Sequence, residues 1–407
     1  MTDLSVGKVH HKREESIALM KRALRELKIE GIHTSIPFHQ ALLEDEDFVC
    51  GKHTTDLIHK KALIKKLWPT AYSRCEQKDG AMKSTVIVST GRYLPDNIIP
   101  NSALTQFSPE AQSLIGYKTG VLARRHAGEN QCTSDLALGA ARSCLGKINF
   151  PPEDIEGIIL STSSPDRIQP ATASRVQHLL GANKAFAFDI NSVCSGSVYG
   201  LHLADALIKT GQYGNILFVA AEVYSKILNK TDFGTFPYFG DGAGATLLQG
   251  SAASDRGILQ TCLATDGSRS DTICVPGGGT MMPYDKITHP RLACFRMKGD
   301  DVFAFAIEKG PAIIRQVVAA AGVKLDDVKC FICNQANINI LRGIADNLGV
   351  PLERFYVNLE RYGNTASASV LIALDEALEE GVIGVGDMVV TAAFGGGLSW
   401  GANVIRI

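Results

Sequence analysis

The chain has 407 residues, of which 45% are hydrophobic and 20% charged, with a net charge of −1. This length supports one large or two moderate hydrophobic cores, and the composition is typical of a globular protein. The balanced charge gives no indication of nucleic-acid binding, and no apolar run reaches the roughly 20 residues of a membrane span. The first residues lack a signal peptide, and the ten cysteines lie mostly in apolar runs, as reduced thiols do. We therefore expect a cytoplasmic protein with no nucleic-acid or membrane partner.

The composition changes near residue 80. Before it, apolar residues at helical spacing predict an amphipathic helix from Glu14 to Ile29, and a second helical stretch runs from Thr55 to Leu67. The polar segment from Ser73 to Gly80 is typical of a linker. The sequence thus predicts a short, mainly helical extension before the main domain.

From Ser84 onward, continuous apolar strands alternate with helices, which predicts α/β halves whose sheets are covered on both faces. The predicted strands are Val86–Val88, Ile158–Thr162, Ala185–Ile190, Cys330–Ile332 and Phe355–Val357; the predicted helices are Ser134–Leu145, Ala173–Leu180, Asp301–Ala321 and Ile340–Leu348. Cys330 and Cys333 form a C-x-x-C pair inside a strand pattern without a second ligand pair, so we expect no metal there.

Two segments of the chain resemble copies of one helix start. One contains Cys194 and the other Asn364; eleven residues after each lies an aspartate, and six residues later a glycine. Each is followed by an apolar strand that ends in Ala-Ala. A duplicated fold that brings the two starts together would place a thiol beside an amide.

Cys194 lies where a strand ends and a helix of small residues begins. The exposed N–H groups and positive dipole of a helix start favour a thiolate, and the same N–H groups can bind an oxyanion. Ser195, Gly196 and Ser197 leave space around the sulfur. Although a cysteine before a helix is more often a packed apolar residue, these neighbours favour an acyl-thioester nucleophile.

Five ordered motifs carry a resemblance to a known family. They are Asn191–Gly196, Tyr238–Ala245, Gln335–Asn337, Gly363–Thr365 and Ala393–Gly401. Over roughly residues 84–407 the chain resembles β-ketoacyl-acyl carrier protein synthase III of the thiolase superfamily. The resemblance implies a homodimer of thiolase-like fold, with duplicated α/β halves at 83–252 and 253–407 in a five-layered αβαβα core, after an extension at 1–82.

The resemblance also implies an acyltransferase with no tightly bound cofactor. Cys194 would take an acyl group from acyl-coenzyme A or an acyl carrier protein and then condense with a malonyl thioester, in fatty acid or related polyketide synthesis. Asn364 would donate hydrogen bonds to the malonyl thioester oxygen. The N–H groups of Cys194 and Gly396 would form the oxyanion hole.

One catalytic position departs from the family, because Asn334 stands where the family has a histidine. Asparagine donates a neutral hydrogen bond but cannot carry a proton, so we expect acyl loading to survive better than decarboxylation. Of the remaining histidines, His202 is expected to pack below the Cys194 helix, and His289 to lie in a loop near the entrance. An Asn/Asn pair could also suffice for catalysis.

The family pattern also changes at the expected entrance for coenzyme A, which comprises Leu114, Lys118, Asn337 and Asn339. Leu114 and Lys118 replace the family's tryptophan and arginine, and Asn339 replaces an arginine that faces the carrier. Leucine cannot stack on adenine, and lysine lacks the bidentate fork of arginine. A carrier-bound acyl donor is therefore more plausible than acetyl-coenzyme A.

The first residues, roughly 5–67, resemble the C-terminal end of biotin carboxylase. Its ATP-grasp part is absent, so no carboxylation is expected from this piece. It could dock a carboxylase complex, but we favour a remnant of gene fusion.

Two alternatives stand beside the condensing enzyme. One is a non-decarboxylating acyltransferase that acts on an alcohol, an amine or a carrier. The other is a non-catalytic partner subunit of a synthase, against which the retention of Cys194, Asn364 and the glycine loop argues.

Overall fold

A computed structural model of the chain describes residues 13–27, 36–52, 84–252 and 255–407. The chain divides into two compact units, Met1–Gly80 and Ala81–Ile407. The helix predicted from Thr55 to Leu67 and the linker from Ser73 to Gly80 lie outside the described residues. No helix in the described ranges is long and apolar enough to cross a membrane.

The first unit contains helices α1 (Arg13–Glu26), α2 (Ile36–Glu44) and α3 (Glu46–Val49). The amphipathic pattern therefore forms the predicted helix, beginning at Arg13, and the end of the predicted span lies outside the described residues. Arg13 donates through Nε to the carbonyl oxygen of Val49 at 3.2 Å, and Gln40 donates to that of Leu24 at 3.2 Å. These bonds connect α1 to each of the two helices that follow.

The second unit has eight α-helices and thirteen strands among its described residues. The helices are α4 (Pro109–Thr119), α5 (Thr133–Gly146), α6 (Thr172–Leu180), α7 (Gly196–Lys209), α8 (Gly299–Ala320), α9 (Ile338–Leu348), α10 (Leu359–Tyr362) and α11 (Ala368–Glu379). The strands are β1 (Ser84–Tyr93), β2 (Ile98–Pro100), β3 (Ala123–Arg125), β4 (Gly157–Ser161), β5 (Phe186–Ile190), β6 (Asn215–Glu222), β7 (Gly242–Ser251), β8 (Gly257–Thr265), β9 (Ile273–Cys274), β10 (Arg296–Met297), β11 (Cys330–Cys333), β12 (Met388–Gly395) and β13 (Ser399–Arg406).

Two mixed sheets repeat one topology. The first has the order β1-β7-β6-β4-β5 and the second β8-β13-β12-β11; in each, two antiparallel pairs come first, followed by two parallel pairs in the first sheet and one in the second. The predicted strand Phe355–Val357 is reduced to a single bridge between Phe331 and Phe355, at the place that β5 occupies in the first sheet. The Phe355 N–H donates a hydrogen bond to the Leu352 carbonyl oxygen in a tight turn. This N–H is therefore not available for pairing with a neighbouring strand.

The helices and sheets stack in five layers. Helices α5 and α6 cover the outer face of the first sheet, and α8 and α9 cover that of the second. Helices α7 and α11 lie between the sheets and contact both. This arrangement confirms the predicted thiolase-like α/β fold.

Small residues allow the central helices to approach the first sheet closely. A Cβ atom on Gly200 of α7 would lie 2.1 Å from the Phe218 ring on β6, and one on Gly244 of β7 would lie 2.5 Å from Leu371 Cβ on α11. Larger residues would push these layers apart. The glycines therefore allow α7 and α11 to pack closely against the first sheet.

The two segments that are similar in sequence also have the same backbone conformation at their helix ends. Gly211 and Gly381 follow the ends of α7 and α11 with φ of 71° and 70°, left-handed values that favour glycine. The strands that come next, β6 and β12, occupy the same place in their sheets. The sequence repeat thus corresponds to a structural repeat.

Candidate active site

Cys194 lies in a single 3₁₀ turn, Val193–Ser195, between β5 and α7. The helix begins at Gly196, and Cys194 is only 6% exposed. Val193 has a φ of 47°, a left-handed value that is strained for a β-branched residue, and Gly363 directly before Asn364 has a φ of 64°. Such backbone strain clusters at functional sites.

One cavity of about 860 Å³ brings the predicted catalytic residues together. Cys194, Asn334 and Asn364 all line it. Cys194 comes from the first half of the fold, whereas Asn334, after the end of β11, and Asn364, between α10 and α11, come from the second half. Three buried phenylalanines, Phe239, Phe295 and Phe394, form part of the apolar wall.

Both asparagines are oriented by hydrogen bonds to their side-chain oxygens. The Ser369 hydroxyl donates to Asn334 Oδ1 at 2.7 Å, and the Ala366 N–H donates to Asn364 Oδ1 at 2.9 Å. Within the described parts of the chain, no hydrogen bond takes up the Nδ2 of either residue. Since both line the cavity, each can offer an amide N–H to a bound oxygen atom.

The glycine loop between β12 and β13 packs directly on the turn that contains Cys194. A Cβ on Gly395 would lie 2.7 Å from the Cys194 nitrogen, and one on Gly396 would lie 3.1 Å from Val193 Cγ2. Gly396 itself is not part of the cavity wall. The loop excludes side chains next to Cys194, while the oxyanion role of the Gly396 N–H stays a prediction.

The expected ionisation of Cys194 is wrong. The pKa of its thiol is raised to about 12, first by burial and then by the negative charge of Glu222, while a backbone hydrogen bond acts in the opposite direction. The helix start was expected to lower this pKa, but desolvation disfavours the charged thiolate more strongly. The free enzyme therefore holds Cys194 as a neutral thiol.

The cavity mouth combines predicted and unpredicted residues. Lys118, Asn337 and Asn339 line it, but Leu114 does not and is instead 41% exposed on α4. Tyr117, Asp300, Phe303 and Arg342 also line the cavity and were missed.

Arg342 could have been found from helical spacing, since it lies three residues after Asn339 on the same face of α9. Its Nη1 donates to Asn339 Oδ1 at 3.0 Å, and Asn339 Nδ2 donates to the Lys118 carbonyl at 2.7 Å. Arg342 thus places a positive charge close to Asn339, the position at which the family has an arginine.

No histidine of the described ranges lines the cavity. His202 is exposed on α7, so the prediction that it packs below the helix is wrong. His289 is also exposed, and its ring accepts a hydrogen bond from the Arg291 N–H at 3.1 Å.

The described residues hold no cluster of three or more His, Cys, Asp or Glu side chains that could bind a metal. Cys330 and Cys333 lie buried within β11.

Family models match three parts of the chain. Residues 188–267 match 3-oxoacyl-[acyl-carrier-protein] synthase III, and residues 318–407 match its C-terminal domain. Residues 6–60 match the biotin carboxylase C-terminal domain. The resemblance at the N-terminus is therefore confirmed as well.

Curated relatives and solved structures agree with these models. A β-ketoacyl-[acyl-carrier-protein] synthase III of Caldanaerobacter subterraneus subsp. tengcongensis is 41% identical over 321 residues, covering 79% of this chain and 97% of the relative. The 3-oxoacyl-[acyl-carrier-protein] synthase III of Aquifex aeolicus VF5 has a TM-score of 0.73 and 37% identity, covering 79% of this chain and 100% of that one. The priming β-ketosynthase of the R1128 polyketide pathway has a TM-score of 0.74 at 26% identity, covering 81% and 97% of the two chains.

Sequence, fold and the convergence of both halves on one thiol-containing cavity lead to the same assignment: the chain belongs to the β-ketoacyl-acyl carrier protein synthase III family.

Proposed function

We propose that this protein is a condensing acyltransferase that forms an acyl-enzyme at Cys194 and joins the acyl group to a malonyl thioester, in fatty acid or related polyketide synthesis. The observation that carries the proposal is the shared cavity, where Cys194, Asn334 and Asn364 meet. Family membership supplies the reaction type. The oriented amides supply the donors that the reaction needs.

In the first step, Cys194 Sγ attacks the thioester carbonyl of the donor. The new C–S bond forms, the bond to the donor sulfur breaks, and the Cys194 proton ends on the departing thiol. The N–H groups of Cys194 and Gly396 would stabilise the tetrahedral oxyanion. Because the resting thiol is neutral, loss of its proton must accompany the attack.

In the second step, the malonyl unit loses carbon dioxide, and negative charge develops on its thioester oxygen. The Nδ2 groups of Asn334 and Asn364 would donate to that oxygen. The resulting carbanion attacks the acyl carbonyl, which releases Cys194 to take up a proton. Both donors are neutral, so decarboxylation is expected to be slower than it would be with histidine, while acyl loading is spared.

A non-decarboxylating acyltransferase is the second candidate, and Asn334 is the observation that favours it. An amide cannot serve as a proton carrier, and no histidine of the described residues reaches the cavity to replace it. Such an enzyme would pass the acyl group from Cys194 to an alcohol, an amine or a carrier. The third candidate, a non-catalytic partner subunit, has less support, because the nucleophile turn retains backbone strain and an adjoining cavity.

The donor is a thioester of coenzyme A, of an acyl carrier protein, or of both. Lys118 and Arg342 line the mouth and can meet the phosphate that these donors share. Leu114 lies outside the cavity wall and offers no stacking surface for adenine, which favours the carrier-bound donor. No tightly bound cofactor is required for either donor.

We also propose a homodimer that acts in the cytoplasm. Strand β5 lies at one edge of the first sheet and has no partner on its outer side in the described residues. Its residues, among them Phe186 and Phe188, are only partly buried. An edge of this kind, long enough and apolar enough to pair, is suited to contact a second copy.

The domain boundaries at 82 and 252 are part of this proposal, with the five-stranded sheet in the first half of the second unit and the four-stranded sheet in the second half. The N-terminal unit, whose residues 6–60 match the C-terminal domain of biotin carboxylase, would be a remnant of gene fusion. Docking to a carboxylase complex is its alternative role.

Mass spectrometry and carbon dioxide release test the function together. After incubation with acyl-coenzyme A and acyl carrier protein in parallel, the peptide that contains Cys194 should gain the acyl mass, and Cys194→Ala should not. Release of carbon dioxide from a malonyl thioester identifies the condensing enzyme. Acyl gain without release would move the assignment to the non-decarboxylating acyltransferase, and the absence of both would support the partner subunit.

A further inference from the structure

Two buried serine hydroxyls connect the turn that contains Cys194 to the glycine loop. Ser195 Oγ lies 2.7 Å from Ser399 Oγ, within hydrogen-bond distance. Ser195 directly follows Cys194, whereas Ser399 begins β13 and lies 204 residues further along the chain. The two side chains are 0% and 4% exposed. Neither lines the cavity, so neither can touch a substrate there.

The neighbouring carbonyl groups give this pair of hydroxyls a direction. Ser399 Oγ donates to the carbonyl oxygen of the buried Gly396 at 2.7 Å, which uses its one hydrogen. Ser195 is then the donor to Ser399 Oγ. The Ser192 carbonyl oxygen lies 2.7 Å from Ser195 Oγ but already accepts the Ser195 N–H at 3.1 Å. The reverse direction would take the Ser399 hydrogen away from a buried carbonyl, which is costly. The hydrogen bonds therefore run from Ser195 to Ser399 to Gly396.

This serine bridge spans the two backbone groups assigned to the oxyanion hole. The two main chains are in close contact here, since a Cβ on Gly395 would lie 2.7 Å from the Cys194 nitrogen and 2.8 Å from that of Ser195. Contact alone does not fix the rotation of a peptide group, and the loop is three consecutive glycines, Gly395–Gly397, with high backbone freedom. Hydrogen bonds have a preferred distance and angle. The serine bridge therefore sets the orientation of the glycine loop relative to Cys194.

We propose that Ser195 and Ser399 are positioning residues that hold the N–H groups of Cys194 and Gly396 in the arrangement that an oxyanion requires. This inference rests on the proposed function, because the oxyanion forms when a thioester carbonyl is attacked. Donors that are already in place need no reorganisation during the reaction, which is why they lower its barrier. The serine bridge acts on acyl transfer at the sulfur, and not on the loss of carbon dioxide, whose donors are the two asparagines.

Ser195→Ala and Ser399→Ala each break the serine bridge. Single-turnover acylation of Cys194 is followed by mass spectrometry with acyl-coenzyme A and, in parallel, with acyl carrier protein. At saturating donor the rate should fall about tenfold in either variant, less than for deletion of an oxyanion donor, and the half-saturating donor concentration should not change. The double variant should be no slower than the single ones, because all three lose the same connection. Ser399→Thr keeps a hydroxyl and should retain the wild-type rate.

Alkylation by iodoacetamide separates the oxyanion hole from the nucleophile. The Cys194 sulfur attacks the CH₂ carbon and iodide leaves, so no negative charge develops on a carbonyl oxygen. The Cys194 peptide should therefore be alkylated at the wild-type rate in both alanine variants. Ser197→Ala is the matched control, because Ser197 is 0% exposed at the start of α7 and its hydroxyl has no hydrogen-bond partner among the described residues. This variant should change neither rate.

Wild-type acylation in folded Ser195→Ala and Ser399→Ala proteins would overturn the inference. An equal fall in acylation and alkylation would also overturn it, because access to the sulfur would then be what changed. A double variant that is slower by the product of the single effects would show that the two hydroxyls act independently. If one alanine variant does not fold, the other decides, since each breaks the serine bridge. A wild-type protein that gains no acyl group from either donor would overturn the proposed function, and with it the catalytic purpose of the serine bridge.

Discussion

At the residue scale, Asn334 is the position that separates this chain from the family's usual catalytic set. Its Oδ1 is held by the Ser369 hydroxyl, which leaves Nδ2 directed to the cavity. The site is thus an ordered pair of neutral donors, rather than a site that has merely lost a residue. Substitution at Asn334 should therefore change one step of the reaction more than the other.

Replacing Asn334 with histidine should raise malonyl decarboxylation on the order of 10²-fold, because a protonatable donor stabilises the developing oxyanion better. Acyl loading of Cys194 should change much less. Carbon dioxide release and acyl gain, measured on the same preparation, separate the two steps. Asn334→Ala is the control and should lower decarboxylation; a histidine variant that behaves like wild type would mean that the site has been rebuilt around asparagine.

The second residue-scale prediction concerns the pH dependence of Cys194. With a pKa near 12, the thiolate fraction should rise about tenfold per pH unit from pH 7 to 10 without a plateau. Iodoacetamide labelling, resolved by peptide mass spectrometry, should therefore show a continuous increase for the Cys194 peptide. A plateau near pH 7 would contradict the raised pKa and support the lowered Cys194 pKa that the helix start predicts.

At the element scale, the repeated unit is a strained turn, a buried helix and a glycine at the helix end. Gly363 and Val193 begin the two copies, and Gly381 and Gly211 end them, all with positive φ. The turns place the functional side chains, and the helices bury against both sheets. Local backbone geometry and chemistry are thus specified by the same short segments.

Gly381→Ala tests the helix end alone. Its φ is +70°, and nothing lies within 4 Å of a new Cβ, so the cost is the left-handed backbone, about 1 kcal/mol of unfolding free energy. Gly384→Ala is the matched control, because it has equal space and no positive φ. Urea unfolding should show a loss in the first and almost none in the second; equal effects would contradict the conformational explanation.

At the scale of the whole molecule, every described residue that lines the cavity at Cys194 belongs to the unit Ala81–Ile407. The N-terminal unit has its own helices and its own family match. We therefore expect the reaction at Cys194 to be independent of the first 80 residues.

Deleting residues 1–80 should leave the thermal midpoint of the main unfolding transition and the acylation of Cys194 unchanged. Differential scanning calorimetry and mass spectrometry of the acyl-enzyme provide the two measurements. The full-length chain is the control for both. A loss of acylation in a folded truncated protein would assign the N-terminal unit a direct part in catalysis.

The sequence alone predicted the alternation of strands and helices, the duplication, and the choice of Cys194, Asn334 and Asn364 as candidate site residues. These features are local, because periodicity and turn residues lie within short segments. The tertiary structure decided the rest. The predicted strand at Phe355 is a single bridge, Leu114 does not line the cavity, and Arg342 does. It also decided the ionisation of Cys194, since burial and the charge of Glu222 are contributed by segments distant along the chain, which no local pattern records.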